Sequence, residues 1–247
     1  MAEDAGGSRG SFSWLGHSAI EVRTPGGRRI LFDPWLENPR SPRGPETVDE
    51  LDVLLVTHGH SDHLSNAIDI ARRTHPSWPC IHELSLLLGS ELADGDAEVI
   101  GMNKGGTVVS HGLRITMVGA DHSCGDWVDG ASEPRYLGEP VGFVVELENG
   151  FRIYHAGDTQ ANADMRLTAE LFKPDLAFLP IGGHFTMDPR GAALATEMLG
   201  VTSVVPIHYG TFPILAGTPD ELRDELRSRG SRVSVLAPEP GAVIPFP

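Results

Sequence analysis

The apolar run Leu51-Asp52-Val53-Leu54-Leu55-Val56 leads directly into Thr57-His58-Gly59-His60-Ser61-Asp62-His63. A continuous apolar run of this length reads as a strand buried on both faces, as in the parallel part of an α/β sheet. A strand exit into a helix is where open α/β sheets place their sites. Three histidines and a carboxylate stand at that exit, a donor set suited to zinc, iron or manganese. So short a loop does not easily bring four donors onto one ion. Two neighbouring ions fit it better: His58 and His60 reach one, while Asp62 and His63, at the helix start, reach the other.

Each ion needs further ligands, and three candidates sit at comparable places. The apolar segments ITMVGADH, FRIYHAGD and SVVPIH end at His122, Asp158 and His208. This assigns His58, His60 and His122 to one ion and Asp62, His63 and His208 to the other. Asp158 is the expected bridge, because a carboxylate has two oxygens to share. Seven protein ligands leave room for water and substrate. Two divalent ions about 3.5–4 Å apart share a water and lower its pKa toward about 7. The expectation is a dinuclear hydrolase whose metal-bridging hydroxide attacks a small ester, lactone or phosphoester.

Along the 247 residues, positions 1–10 read as a flexible tail and 11–247 as one domain. FSWLGHSAIEVRTPGGRRILFDPW predicts strands joined by a turn at Pro25-Gly26-Gly27. A helix over 63–73 and another near 84–92 follow, then short strands through AEVIG and LRITMVGA. Residues 123–140 read as a long loop, of the kind that is functional or disordered. Glu148-Asn149-Gly150 marks a hairpin between VGFVVEL and FRIYHAGD. Helices near 162–172 and 190–199 alternate with the strands DLAFLP and SVVPIH. Thr218 followed by Pro219 starts another helix, and the chain closes on a strand near 232–236. The strand-rich then helix-and-strand order occurs twice. It predicts an α/β fold of two similar halves: an αββα four-layer sandwich, two mixed β-sheets flanked by helices.

These motifs resemble the metallo-β-lactamase superfamily. HxHxDH, a later histidine, Gly157-Asp158-Thr159 and a histidine at a C-terminal strand end occur in that family's order. From about Phe12 onward the chain is similar to a branch of small bacterial and archaeal metal-dependent hydrolases related to L-ascorbate-6-phosphate lactonase. Gly16-His17-Ser18, Phe32-Asp33-Pro34, the 138–143 stretch and Pro180–Met187 carry that likeness. The resemblance implies the αββα fold and a dinuclear site. Ligand type makes zinc the first expected metal. The lactonase relatives add manganese, and the superfamily's diiron members add iron, with an iron-dependent oxidoreductase as the alternative activity. A phosphodiesterase or nuclease is a further alternative, since one fold hosts many chemistries.

Asp62 doubles as a catalytic candidate that orients the nucleophile or shuttles a proton. His184, after Gly182-Gly183 at a strand end, is a candidate for substrate contact or acid catalysis. His17, in its Gly-His-Ser turn, either faces the metals or bonds the backbone. Asp33 either accepts from a ligating imidazole and fixes its tautomer or caps a turn before Pro34. Tyr209 is an oxyanion donor or a packed aromatic. Trp127, Phe185, Met187 and Phe212 line the pocket or the core. Cys124 reads as a buried or loop thiol, Lys104 as an anion contact or a solvated cation, and 220–230 as a solvated helix face. His75, His82, His111 and His155 read as structural.

A formal net charge of −15 argues against wrapping nucleic acid or docking on anionic lipid. Only two cysteines occur and no CxxC, which removes thiolate zinc-ribbon and disulfide-scaffold readings. No secretory signal or membrane-length apolar run is seen. These features predict a cytoplasmic chain acting on a small molecule, without nucleic-acid or membrane partners. A homo-oligomer is expected because such enzymes commonly assemble symmetrically.

Overall fold

The buried run supplies an interior strand of a seven-stranded sheet in the computed structural model, which describes residues 9–126 and 132–247. β1 (Gly10–Trp14), β2 (Ile20–Arg23) and β3 (Arg29–Phe32) form an antiparallel meander. Its period of two turns Phe12, Trp14, Ile20, Val22, Ile30 and Phe32 into the core. β4 (Val53–Leu55), β5 (Ser77–Ile81) and β6 (Glu98–Met102) continue the sheet in parallel. Between them run α1 (Ser61–Leu64), α2 (Ala67–Thr74) and α3 (His82–Glu91).

The second half repeats the plan. β7 (Thr107–Ser110) and β8 (Leu113–Gly119) precede a small hairpin of β9 (Gly125–Asp126) and β10 (Arg135–Tyr136). β11 (Val141–Glu146) and β12 (Arg152–His155) pair antiparallel across the turn at 148–150. Parallel strands follow: α4 (Asp164–Phe172), β13 (Leu176–Pro180), α5 (Pro189–Leu199), β14 (Ser203–Ile207), α6 (Pro219–Ser228) and β15 (Ser234–Val235) alternate helix with strand. The chain ends on β16 (Val243–Phe246).

The sheet orders are β16-β1-β2-β3-β4-β5-β6 and β15-β14-β13-β12-β11-β8-β7. Each passes from an antiparallel half to a parallel half. Phe12 meets Phe178 edge-on at 5.2 Å, and Phe32 stacks on His155 at 4.8 Å, so the two sheets pack face to face. Helices flank the sheets, giving the αββα sandwich. Buried Ala67, Ile70 and Ala71 of α2, Leu84 and Leu88 of α3, and the alanines of α5 join the same core.

Four sequence expectations change. The helix over 63–73 is two helices, broken at Ser65–Asn66, where Asn66 anchors the chain: its Oδ1 accepts from Leu36 N–H at 2.7 Å and its Nδ2 donates to Glu37 at 2.9 Å. The 123–140 loop contains the β9–β10 hairpin; Trp127 lies outside the described residues. The strand near 232–236 is not the last, since β16 pairs with β1 in the other sheet. Pro245 inside that segment obscures it, yet an edge strand tolerates proline. Finally, Gly10 belongs to β1, opposite Phe246, so the tail read over 1–10 is too long by one residue at least; positions 1–8 lie outside the described residues. Among those residues no helix is long and apolar enough to cross a membrane.

Candidate metal centre

Asp33, in the left-handed region at φ 44° just past β3, organises the loop after β4. Its Oδ1 accepts from Thr57 N–H at 2.7 Å, and Oδ2 accepts from Thr57 Oγ1–H at 2.8 Å and His63 Nδ1–H at 2.9 Å. With its proton committed to Asp33, Thr57 Oγ1 accepts from His58 Nδ1–H at 3.1 Å. One carboxylate thereby fixes two tautomers: both His58 and His63 turn an Nε2 lone pair inward. Gly59 is required between them, because a Cβ there would overlap Leu137.

The other donors arrive at strand ends. His122 follows β8, His208 (φ 53°) follows β14, and Asp158 follows β12 through Gly157 (φ 63°), whose missing Cβ leaves space for Thr57. His17 (φ 49°) comes from the turn between β1 and β2, where its carbonyl accepts from Trp14 Nε1–H at 2.9 Å and His208 N–H at 2.8 Å.

Three sets of donor atoms lie within 4.8 Å of one another: His58, His60 and His122; His17, Asp62, His63 and His208; and His58, His63 and Asp158. The third set joins the other two. Asp158 lies 3.0 Å from His208 Nε2, 3.5 Å from His63 Nε2 and 3.7 Å from His122 Nε2. His58 Nε2 faces His60 Nδ1 at 2.9 Å.

The residues fit a cationic group. Nε2 of His63, both ring nitrogens of His208 and Oδ1 of Asp158 are buried without a hydrogen-bond partner. His208 Nε2 stands close to Asp158 but outside hydrogen-bonding geometry. Buried polar atoms are nearly always satisfied, so a group of orphans aimed at one another marks a place for a ligand. Imidazole lone pairs and a carboxylate are the donors that divalent transition ions take.

The electrostatics agree. Burial pushes His58 well below the ordinary histidine pKa, and His63 pushes it further. Burial, then His208, brings His17 down to about 4, so its ring is neutral at pH 7. Burial also lowers His122. Burial opposes charge on Asp158 and Asp62, yet neighbouring histidines hold both carboxyls below the usual range: chiefly His208 for Asp158, and His63 for Asp62. His63 is the exception among the rings: against its burial, Asp158, Asp33 and Asp62 raise it well above its ordinary value, so a cation binding at its Nε2 would displace a proton.

All seven residues read as ligands from the sequence, together with His17, contribute to these sets. His184 does not. It is exposed, at φ 59°, with its ring edge-on to Phe185 at 4.4 Å. Phe185, rather than His184, lines the pocket over the cluster. Tyr209 is a packed aromatic, stacked on Trp14 at 5.0 Å. Met187 and Cys124 are buried, and Cys124 Sγ accepts from Gly59 N–H at 3.2 Å. Lys104 pairs with Glu139 at 3.5 Å. His75 bonds Gly95 O at 2.7 Å, and His111 lies 3.7 Å from Asp52. His155 is structural with partners of its own: Nε2–H donates to Ser18 O at 3.3 Å and Nδ1 accepts from Gly157 N–H at 3.2 Å. Sequence reasoning gives no reason to single out Thr211, whose Oγ1 lies 3.0 Å from His17 Nδ1. Thr57 was adjacent to the motif, and only the Asp33 pairing exposes its role.

A family model described as the beta-lactamase superfamily domain matches residues 28–209. A Myxococcus xanthus protein named UPF0173 metal-dependent hydrolase is 46% identical over 230 residues, covering 93% of this chain and 81% of its own. Its namesake in Rubrobacter xylanophilus is 45% identical over 242 residues, covering 98% of each. Among solved structures, Igni18, described as a metallo hydrolase from the archaeon Ignicoccus hospitalis, is 36% identical with a TM-score of 0.84, covering 96% of this chain and 98% of that one.

Proposed function

The chain belongs to the metallo-β-lactamase superfamily and is a metal-dependent hydrolase, and we propose that its donor cluster holds two divalent ions and cleaves a small ester, lactone or phosphoester. His58, His60 and His122 would hold one ion, Asp62, His63 and His208 the other, and Asp158 would be shared between them. Zinc is the first occupant to test, followed by manganese and iron. The observation that carries this reading is Asp158, whose carboxylate faces rings from both groups at 3.0–3.7 Å.

Such a pair supplies an activated water at neutral pH and polarises the carbonyl or phosphoryl oxygen under attack. The protein residues set the rest. Asp33 keeps the His58 and His63 lone pairs aimed inward. Asp62 is the most exposed carboxylate of the cluster, its side chain 31% accessible, and it borders the pocket. His17 Nε2–H donates to its Oδ2 at 2.9 Å, which leaves Oδ1 to hold a proton delivered during attack. His17, being neutral, orients that carboxylate without neutralising it. The pocket, about 450 Å³, opens over these groups and suits a small-molecule substrate.

The test is a panel of carboxyl esters, lactones and phosphodiesters offered to metal-stripped and metal-reconstituted protein. Turnover that returns with divalent metal and disappears in Asp62→Ala is expected. A fully metallated protein that hydrolyses no member of any class contradicts the proposal.

A further inference from the structure

We infer that the substrate is an uncharged ester or lactone whose non-reacting portion is apolar, an inference that rests on the hydrolase reading above and narrows it. Beside the donors His60, Asp62, His122, Asp158 and His208, the pocket lining includes the apolar Pro134 and Phe185. Phe185 is 57% exposed, although its backbone is fixed by Phe185 N–H bonding Gly183 O at 2.7 Å. A second exposed aromatic approaches His17. Phe212, 41% exposed, stacks on Trp35 at 5.9 Å and presents its ring to His17 at 6.1 Å. Phe185 and Pro134 thus offer the pocket apolar surface still open to water. Covering them with an apolar group releases that surface, and exposed apolar patches of this kind mark binding sites.

Charge points the same way. All nineteen lysines and arginines lie among the described residues, and none lines this pocket. Arg40, on the neighbouring loop, is committed: its guanidinium lies 4.7 Å over Trp14 and 5.2 Å over Tyr209, and it donates to Tyr209 O at 3.3 Å. An anionic group carried into the pocket meets no lysine or arginine among its lining residues, so any hydration it loses there is not replaced by one of them. A methyl-ended chain meets no such cost. The reaction is simple hydrolysis: the oxygen of water forms a bond to the carbonyl carbon, the C–O bond to the leaving alkoxide breaks, and that alkoxide takes up a proton to leave as an alcohol.

The experiment compares p-nitrophenyl hexanoate with p-nitrophenyl hydrogen adipate, chains of equal length ending in methyl or carboxylate, on the zinc-reconstituted full chain. In parallel, calorimetry compares hexanohydroxamate with acetohydroxamate, which share a metal-binding head and differ in tail length. The expected results are at least ~10-fold higher kcat/KM for the hexanoate and at least ~10-fold tighter binding of the longer hydroxamate. In Phe185→Ala both ratios fall several-fold. Equal or faster cleavage of the adipate, or equal affinity for the two hydroxamates, overturns the inference while leaving hydrolysis intact. Tail-dependent hydroxamate binding with cleavage of neither ester supports an apolar subsite but overturns the ester assignment, and the lactones and phosphodiesters of the panel then decide the hydrolase reading.

Discussion

His17 Nε2 lies 2.9 Å from Asp62 Oδ2, and its other ring nitrogen lies 3.0 Å from Thr211 Oγ1. A neutral ring satisfies both contacts in one tautomer only: Nε2–H donates to the carboxylate, and Nδ1 accepts from the threonine hydroxyl. Thr211→Val removes that donor and leaves Nδ1 free to compete for the proton. The expected result is a ~10-fold loss in kcat, the effect of about 1.4 kcal/mol of lost orientation, with metal content unchanged by elemental analysis. An unchanged kcat would show that Thr211 does not set the ring.

Asp33 touches one histidine from each half of the cluster, directly through His63 and by way of Thr57 through His58. Asp33→Asn substitutes a group that donates as well as accepts, so at least one tautomer is no longer enforced. Metal affinity is expected to fall ~10–100-fold, measured by competition with a chromophoric chelator. Wild-type affinity in this variant would remove Asp33 from the account.

His155 is wholly buried, and burial lowers its pKa below the ordinary 6.5. Its Nδ1 accepts from Gly157 N–H, so protonation there breaks a bond next to Asp158. Because the folded pKa is depressed, the neutral ring contributes stability that is full above about pH 6.5 and is lost as pH falls toward the folded value. Within that window the slope from this one group is at most about 1.4 kcal/mol per pH unit. Metal-free His155→Gln is therefore expected to lose less stability than metal-free wild type between pH 7 and 5, followed by urea unfolding at each pH. Parallel curves contradict this.

The orphaned atoms of Asp158, His63 and His208 predict that divalent metal stabilises the fold. With free zinc at about 100 times its dissociation constant the gain is about 2.7 kcal/mol, read as a rise in Tm over chelator-treated protein. His208→Ala and Asp158→Ala, each lacking a donor, are expected to show a smaller rise. A Tm indifferent to zinc contradicts the metal-binding role of the cluster.

The two-sheet plan is legible because buried strands such as 53–55 and 203–207 lie in short apolar runs, and the clustered His58 and His208 follow close on their ends. What the sequence hides is contact at long range. Thr211 carries no signature of its own; 194 positions separate it from His17. His155 looks partnerless until β12 faces β3 across the core and Ser18 approaches it. β16 contains Pro245 and pairs with a strand more than 200 positions earlier, so no local pattern announces it. The break at Asn66 is likewise invisible in the helical periodicity, since the side-chain bonds Asn66 makes there go to Leu36 and Glu37, about thirty positions earlier. His184 shares the strand-end placement of the clustered histidines, but the left-handed turn at 183–184 leaves its ring exposed.

The central claim is a pair of ions held by one shared carboxylate. The most direct measurement is anomalous diffraction at the zinc edge from zinc-reconstituted crystals, alongside metal analysis of the same preparation. The account predicts two metal equivalents per chain and two adjacent peaks, one among His58, His60 and His122, the other among Asp62, His63 and His208, with Asp158 contacting both. A single peak under excess zinc, or two ions with Asp158 bound to neither, would contradict it.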